Sequence, residues 1–172
     1  MDALKPLENK IAEVVKGLPP LPDTTKKMLA DWAHVFVLIA GILQALVAIG
    51  LYTWGRDINK TADVINSYSN AFGVATSVEK LNIFYWASLI ILVVDAVILL
   101  MAYAPLKAKS KKGWDLVFLS AVINFVYGFL TMFNNRGDFM SFVFSLVFTA
   151  AGVYLLFQVR DQFKPTKAEA KK

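Results

Sequence analysis

Residues 83–104 read IFYWASLIILVVDAVILLMAYA, an apolar run with a single carboxylate, Asp95, at its centre. A helix rises about 1.5 Å per residue, so a run of this length matches the ~30 Å hydrocarbon layer of a bilayer. A carboxylate at that depth costs about 2.5–3.5 kcal/mol on insertion scales, so Asp95 calls for a structural or functional reason. Three further runs have the same character, about Trp32–Trp54, Trp114–Phe133 and Phe139–Val159. Membrane-crossing strands would need only ~9–11 residues of strict alternation, which these runs lack. The expected fold is all-α: an integral membrane four-helix bundle.

The charges fit that reading. Of 172 residues 57% are hydrophobic, and the net charge of +5 gathers in three places. Lys5, Lys10, Lys16, Lys26 and Lys27 precede the first run. Lys107, Lys109, Lys111 and Lys112 sit between the second and third, and Arg160, Lys164, Lys167, Lys171 and Lys172 follow the fourth. The remaining connections carry only Arg56, Lys60, Lys80 and Arg136. The positive-inside rule therefore predicts a multi-pass cell-membrane protein with both termini and the middle loop cytoplasmic. The charge needs no nucleic-acid partner; membrane lipids, a second copy or another membrane protein are the expected partners. The absence of cysteine excludes disulfides, thiolate metal sites and dithiol redox chemistry. Met1–Lys16 is charged and amphipathic, unlike a cleavable signal peptide.

Leu7, Ile11, Val14, Val15 and Leu18 recur at helical spacing, which predicts an amphipathic helix ended by Gly17 and the proline-rich stretch to Pro22. Its simplest placement is flat in the cytoplasmic interface, with docking to a partner or under the bundle as alternatives. Asp23 or Thr24 is the expected N-cap of the first long helix. Between Gly55 and Lys80 a second amphipathic helix is expected to lie over the outer mouth of the bundle, with Gly73 as its C′ residue. Thr76 and Glu79 form a capping-box pattern that starts the next long helix near Ser77. Pro105 should stop that helix, Gly113 should precede the third, and Asn134–Asp138 should form a tight outer turn. Trp32, Trp54, Tyr85, Trp86, Tyr103 and Trp114 fall near the span ends, where amphipathic rings anchor at headgroup level.

Each span also carries a stripe of small or polar residues suited to helix–helix contact. They are Gly41/Gln44/Ala45/Ala48, Ser88/Asp95/Ala102, Ser120/Asn124/Tyr127/Thr131 and Ser141/Ser145/Thr149/Gly152. Gln44, Asp95, Asn124 and Thr149 lie at comparable depth and form a candidate midplane polar layer. Such a layer serves either as a fastener between helices or as the proton- or cation-binding point of a small carrier. No basic residue lies inside a span to neutralise Asp95.

Other motifs are plainer. His34 is the sole histidine and cannot make a metal site alone. Asn59-Lys60-Thr61 fits a glycosylation triplet, and Arg136-Gly137-Asp138 reads as a polar turn. No phosphate loop, Ser–His–Asp set, HExxH or catalytic carboxylate pair occurs, so no catalytic residue, cofactor or metal is assigned and a non-enzymatic protein is expected.

The segments Pro105-Leu106-Lys107, Lys112-Gly113-Trp114 and Tyr154–Arg160, with Asn124 in the third span, resemble those of small four-span bacterial inner-membrane proteins. That resemblance covers roughly Pro19–Phe163 and implies a bacterial inner-membrane location, with no activity or site residues attached. In size and span number the chain is also similar to small multidrug carriers. Those hold their essential acid in the first span rather than the second, so no site transfers. The expected organisation is a cytoplasmic helix and linker over 1–22, a bundle over 23–163 and a basic tail over 164–172.

Overall fold

The computed structural model describes residues 4–131 and 139–164. Among them are five α-helices and no strand: α1 Lys5–Lys16, α2 Asp23–Ala71, α3 Ile83–Lys107, α4 Lys111–Thr131 and α5 Phe139–Gln158, followed by a 3₁₀ turn at Arg160–Gln162. The expected turn at Asn134–Asp138, with Arg136-Gly137-Asp138, and the tail beyond Lys164 lie outside the described residues, as do the side chains of Thr131 and Ser141. The chain is all-α. Two helices, α2 and α3, are long and apolar enough to cross a membrane.

Successive helices from α2 to α5 run antiparallel. Asp31 meets Lys109 at one end of the α2–α3 pair and Leu51 meets Tyr85 at the other. Gly113 of α4 lies against Leu106 of α3, and Trp114 of α4 bonds Leu156 of α5. The packing face of α2 is a row of small residues, Gly41, Ala48, Gly55 and Ala62, spaced by seven. Small side chains at heptad spacing let two helix axes approach closely along their whole contact.

The first long helix does not end near Trp54 with a separate outer helix across the bundle, as the sequence suggests. Helix α2 continues unbroken to Ala71, about 24 Å past Gly55. No proline intervenes between Trp54 and Ala71, and the Thr61 and Ser67 hydroxyls donate back to carbonyls four residues earlier on the same helix. It ends as expected at Gly73, whose φ of +65° supplies the left-handed turn; Gly73 N–H reaches the Asn70 carbonyl and Val74 N–H the Ser69 carbonyl. The chain then returns along the extension. Asn59 Oδ1 accepts from Leu81 N–H at 2.8 Å, and Asn66 both accepts from Val78 N–H at 2.7 Å and donates to the Val78 carbonyl at 3.0 Å. Two helical turns on α2 thus match about three residues of extended chain, because both rise ~10 Å. Asn59 is therefore held in a helix–chain contact, a poor setting for the glycosylation triplet. Replacing Asn66 with Ala is expected to free the 74–82 segment, read as faster amide exchange at Val78 with little change in global stability.

Helix α3 begins at Ile83, six residues later than the Thr76/Glu79 pattern suggests. Asn82 Oδ1 accepts from Tyr85 N–H at 3.1 Å and so outcompetes Thr76 as the cap. Similarly, Pro22 rather than Asp23 or Thr24 is the N-cap of α2. Pro105 does not stop α3, which runs on to Lys107. Proline withholds one donor near the helix end, and the chain closes by bonds from Lys109 N–H to Leu106 and from Ser110 N–H to the Pro105 carbonyl. The residue in the left-handed position is Lys109, φ +51°, where glycine is usual. Ser110 then caps α4 through Lys112 N–H, so Gly113 lies inside the first turn instead of before it.

The main core sits at the basic end of the molecule. Trp114, Phe118, Phe157, Leu106, Ala102, Ala30, Val159 and Phe163 pack together, and Val15 of α1 joins them. Helix α1 is thus docked against the helix ends. Trp114 is fully buried (0% exposed), so it is a core residue and not a headgroup anchor. Trp32, by contrast, is 55% exposed. Away from this end, large apolar side chains face outwards: Phe36, Ile39, Leu43 and Leu46 on α2, Ile90 and Met101 on α3, and Phe144, Val147 and Phe148 on α5.

Candidate functional site

Asp95 is buried (1% exposed) midway along α3, flanked by Leu92, Ala96 and Leu99. Its Oδ2 accepts from Gln44 Nε2 of α2 at 2.8 Å and from Asn124 Nδ2 of α4 at 2.7 Å. The orientation of both amides is fixed by second acceptors. Gln44 Nε2 also donates to the Leu92 carbonyl at 3.3 Å, and Asn124 Nδ2 to the Ser120 carbonyl at 3.0 Å. A main-chain carbonyl can only accept, so the nitrogen of each amide must face Asp95. One carboxylate oxygen therefore draws two donors from two neighbouring helices. The other, Oδ1, is buried without a hydrogen-bond partner.

Of the four residues expected to form this layer, Gln44, Asp95 and Asn124 converge. Thr149 of α5 is partly buried and shares no hydrogen bond with them among the described residues. The reason is the packing order: α5 lies against α4, whereas Asp95 is on α3. Ser120 is buried beside Asn124, and Ser88, two turns from Asp95 on α3, is buried with its Oγ donating to the Phe84 carbonyl. His34 packs against Tyr103 with tilted rings, centroids 5.7 Å apart, at the α2–α3 contact. No group of three or more His, Cys, Asp or Glu side chains suited to a metal occurs among the described residues.

A second polar assembly, at the basic end, had little sequence signal. Glu8 of α1 is buried and pairs with Arg160 and, at 3.4 Å, with Lys111; Lys111 also pairs with Asp115 at 2.7 Å. Both cations also lie against the Trp114 ring, Lys111 Nζ 4.7 Å and Arg160 Cζ 5.4 Å from its centroid. Only Lys111 and Asp115, four apart on one helix, were legible as a pair. Glu8 and Arg160 are separated by 152 positions, and no local pattern joins them. The neighbouring main chain is tied as well. Lys111 N–H donates to the Lys164 carbonyl and Lys164 N–H to the Lys109 carbonyl, while Tyr154 Oη donates to the Pro19 carbonyl.

No protein-family model, no curated protein and no solved structure matches this chain.

Proposed function

We propose that the chain is an integral membrane protein whose four long helices cross the bilayer, with α1 and both ends on the cytoplasmic side. It acts without catalysis, through helix packing and contacts with a second copy or another membrane protein. Support for membrane integration comes from the outward apolar surface of α2, α3 and α5. Each such side chain left in water forgoes about 1.5–3 kcal/mol, a cost that hydrocarbon removes. In this reading the layer at Asp95 is a fastener. The observation that carries it is the convergence of two amide donors, from two helices, on one buried oxygen of a third.

A second reading, a small proton- or cation-coupled carrier, has one observation in its favour: Asp95 Oδ1 is buried and unpartnered. An oxygen left over at that depth is where a proton or cation would bind. Asp95→Asn separates the two, because Asn is nearly isosteric and still offers one oxygen to both amides. If the layer is a fastener, the mutant unfolds within about 0.6 kcal/mol of the parent, the average for such a bond in a membrane protein. Liposomes containing either protein then show the same background proton flux. Flux through the parent that disappears in a folded Asp95→Asn variant would overturn the fastener in favour of the carrier.

A further inference from the structure

We propose that the groove lined by Lys27, Asp31, Lys109, Asp161, Gln162 and Lys164 binds the phosphodiester of an anionic phospholipid from the adjoining leaflet. The inference rests on the membrane reading above and deepens its lipid partner from a solvent to a ligand. The groove has a volume of about 490 Å³ and gathers residues from α2, the α3–α4 turn and the segment after α5. Three ammonium groups and two carboxylates line it, which leaves one positive charge in excess. Lys109 and Asp31 already pair at 2.7 Å. The ammonium groups of Lys27 and Lys164 have no hydrogen-bond or ion-pair partner among the described residues and remain to bind a singly charged phosphodiester.

Two further features point to a lipid rather than a free anion. At the residue after Lys27, on the adjoining face of α2, begins an outward apolar row, Met28, Trp32, Phe36, Ile39 and Leu43, each about half exposed. A headgroup held in the groove therefore has its acyl chains beside a matching surface on the same helix. The other feature is Lys109 itself. A left-handed backbone position disfavours side chains other than glycine, and such strain is maintained where the side chain has a task. Here the Lys109 ammonium stands on the groove, over the Phe163 ring at 5.7 Å and against Asp31.

The full-length protein in mixed micelles, with phosphatidylglycerol or phosphatidylcholine added at matched fractions, tests this by native mass spectrometry of retained lipid. Phosphatidylglycerol should be retained at lower fractions than phosphatidylcholine. Each lysine removed from the groove should weaken it about five-fold, the equivalent of ~1 kcal/mol per basic residue at a membrane surface. Lys27→Gln and Lys164→Gln remove the two unpaired ammonium groups. Lys109→Gly removes the third while relieving the backbone, so its melting temperature should hold or rise as lipid retention falls. Lys10→Gln, on the exposed side of α1, should change nothing. Equal retention of the two lipids, or unchanged retention in all three groove variants, overturns the proposal. Displacement of the lipid by millimolar inorganic phosphate would reassign the groove to free phosphate and equally overturn it. Alkaline carbonate extraction of membranes run in parallel reports on the membrane reading separately, since a groove without lipid preference does not release an integral protein.

Discussion

Trp114→Ala is expected to destabilise the protein by about 3–5 kcal/mol, the range for deleting a large aromatic from a packed core. Several interactions end at this ring. It stacks on Phe118 with centroids 5.5 Å apart and meets Phe157 edge-on at 5.2 Å, while Nε1 donates to the Leu156 carbonyl at 2.8 Å. It also lies beside Lys111 and Arg160, the two cations that hold Glu8. Alanine would open a cavity, orphan the Leu156 carbonyl and remove the surface on which α1 docks. The loss should therefore show twice: as a lower unfolding midpoint by circular dichroism in micelles, and as faster proteolysis between α1 and α2. Trp114→Phe keeps most of the volume and loses the hydrogen bond, so about 1–2 kcal/mol should remain at stake. A Trp114→Ala protein that melts within 1 kcal/mol of the parent, with α1 still protected, would refute this account of the basic end.

The way Trp114 misled the sequence reading shows where local inference stops. An aromatic at the end of an apolar run, beside lysines, has the pattern of a headgroup anchor, and Trp32 keeps that exposed setting. Trp114 differs only because α1, the α3–α4 turn and the end of α5 converge over it, which is a matter of long-range packing. The helix content of the runs was legible, since length and hydrophobicity act residue by residue. So was the convergence of Gln44, Asp95 and Asn124, because depth in a span can be counted from its ends. Thr149 met the same depth criterion and was misplaced, since depth says nothing about which helix is whose neighbour. Caps failed for a similar reason. Thr76/Glu79 satisfied a four-residue pattern, but residues 74–82 are occupied by contacts with Asn59 and Asn66 far back along α2. The segments that carried the resemblance to small four-span proteins, Pro105–Lys107, Lys112–Trp114 and Tyr154–Arg160, prove to be three sides of the one core at the basic end.

The two polar assemblies have different mechanical roles along the same helices. The layer at Asp95 joins α2, α3 and α4 through side-chain hydrogen bonds alone. The basic end joins α1, α3, α4 and α5 through main-chain bonds, aromatic packing and buried ion pairs together. Helices splay most easily away from the end where more is fixed. Motion is therefore expected at the Gly55–Asn82 end, where the return segment is held to α2 by the side chains of Asn59 and Asn66 and by the Lys80–Asp63 pair.

Gly113→Ala should be nearly as damaging as the loss of Trp114, by the opposite route. A Cβ placed on Gly113 would lie 2.5 Å from the Leu106 nitrogen, 2.8 Å from the Pro105 carbonyl carbon and 2.9 Å from the Leu106 Cα. All three are main-chain atoms, so no side-chain rotation relieves the contact, and the first turn of α4 must move off the last turn of α3. That turn is already fixed by the left-handed Lys109 and by the bonds that Ser110 and Lys111 make to Pro105 and Lys164. Overpacking of a tight core costs about 1–3 kcal/mol, and a contact against main chain belongs at the upper end. Gly50→Ala and Gly152→Ala provide the contrast. Both are in helices with nothing within 4 Å of the added methyl, so the gain in helix propensity, about 1 kcal/mol, should raise stability. Unfolding of the three variants in the same micelles should therefore rank Gly113→Ala well below the parent and the other two at or above it. If Gly113→Ala instead rises with them, the close crossing of α3 and α4 does not exist in the folded protein, and the seat of Trp114 beside it goes too.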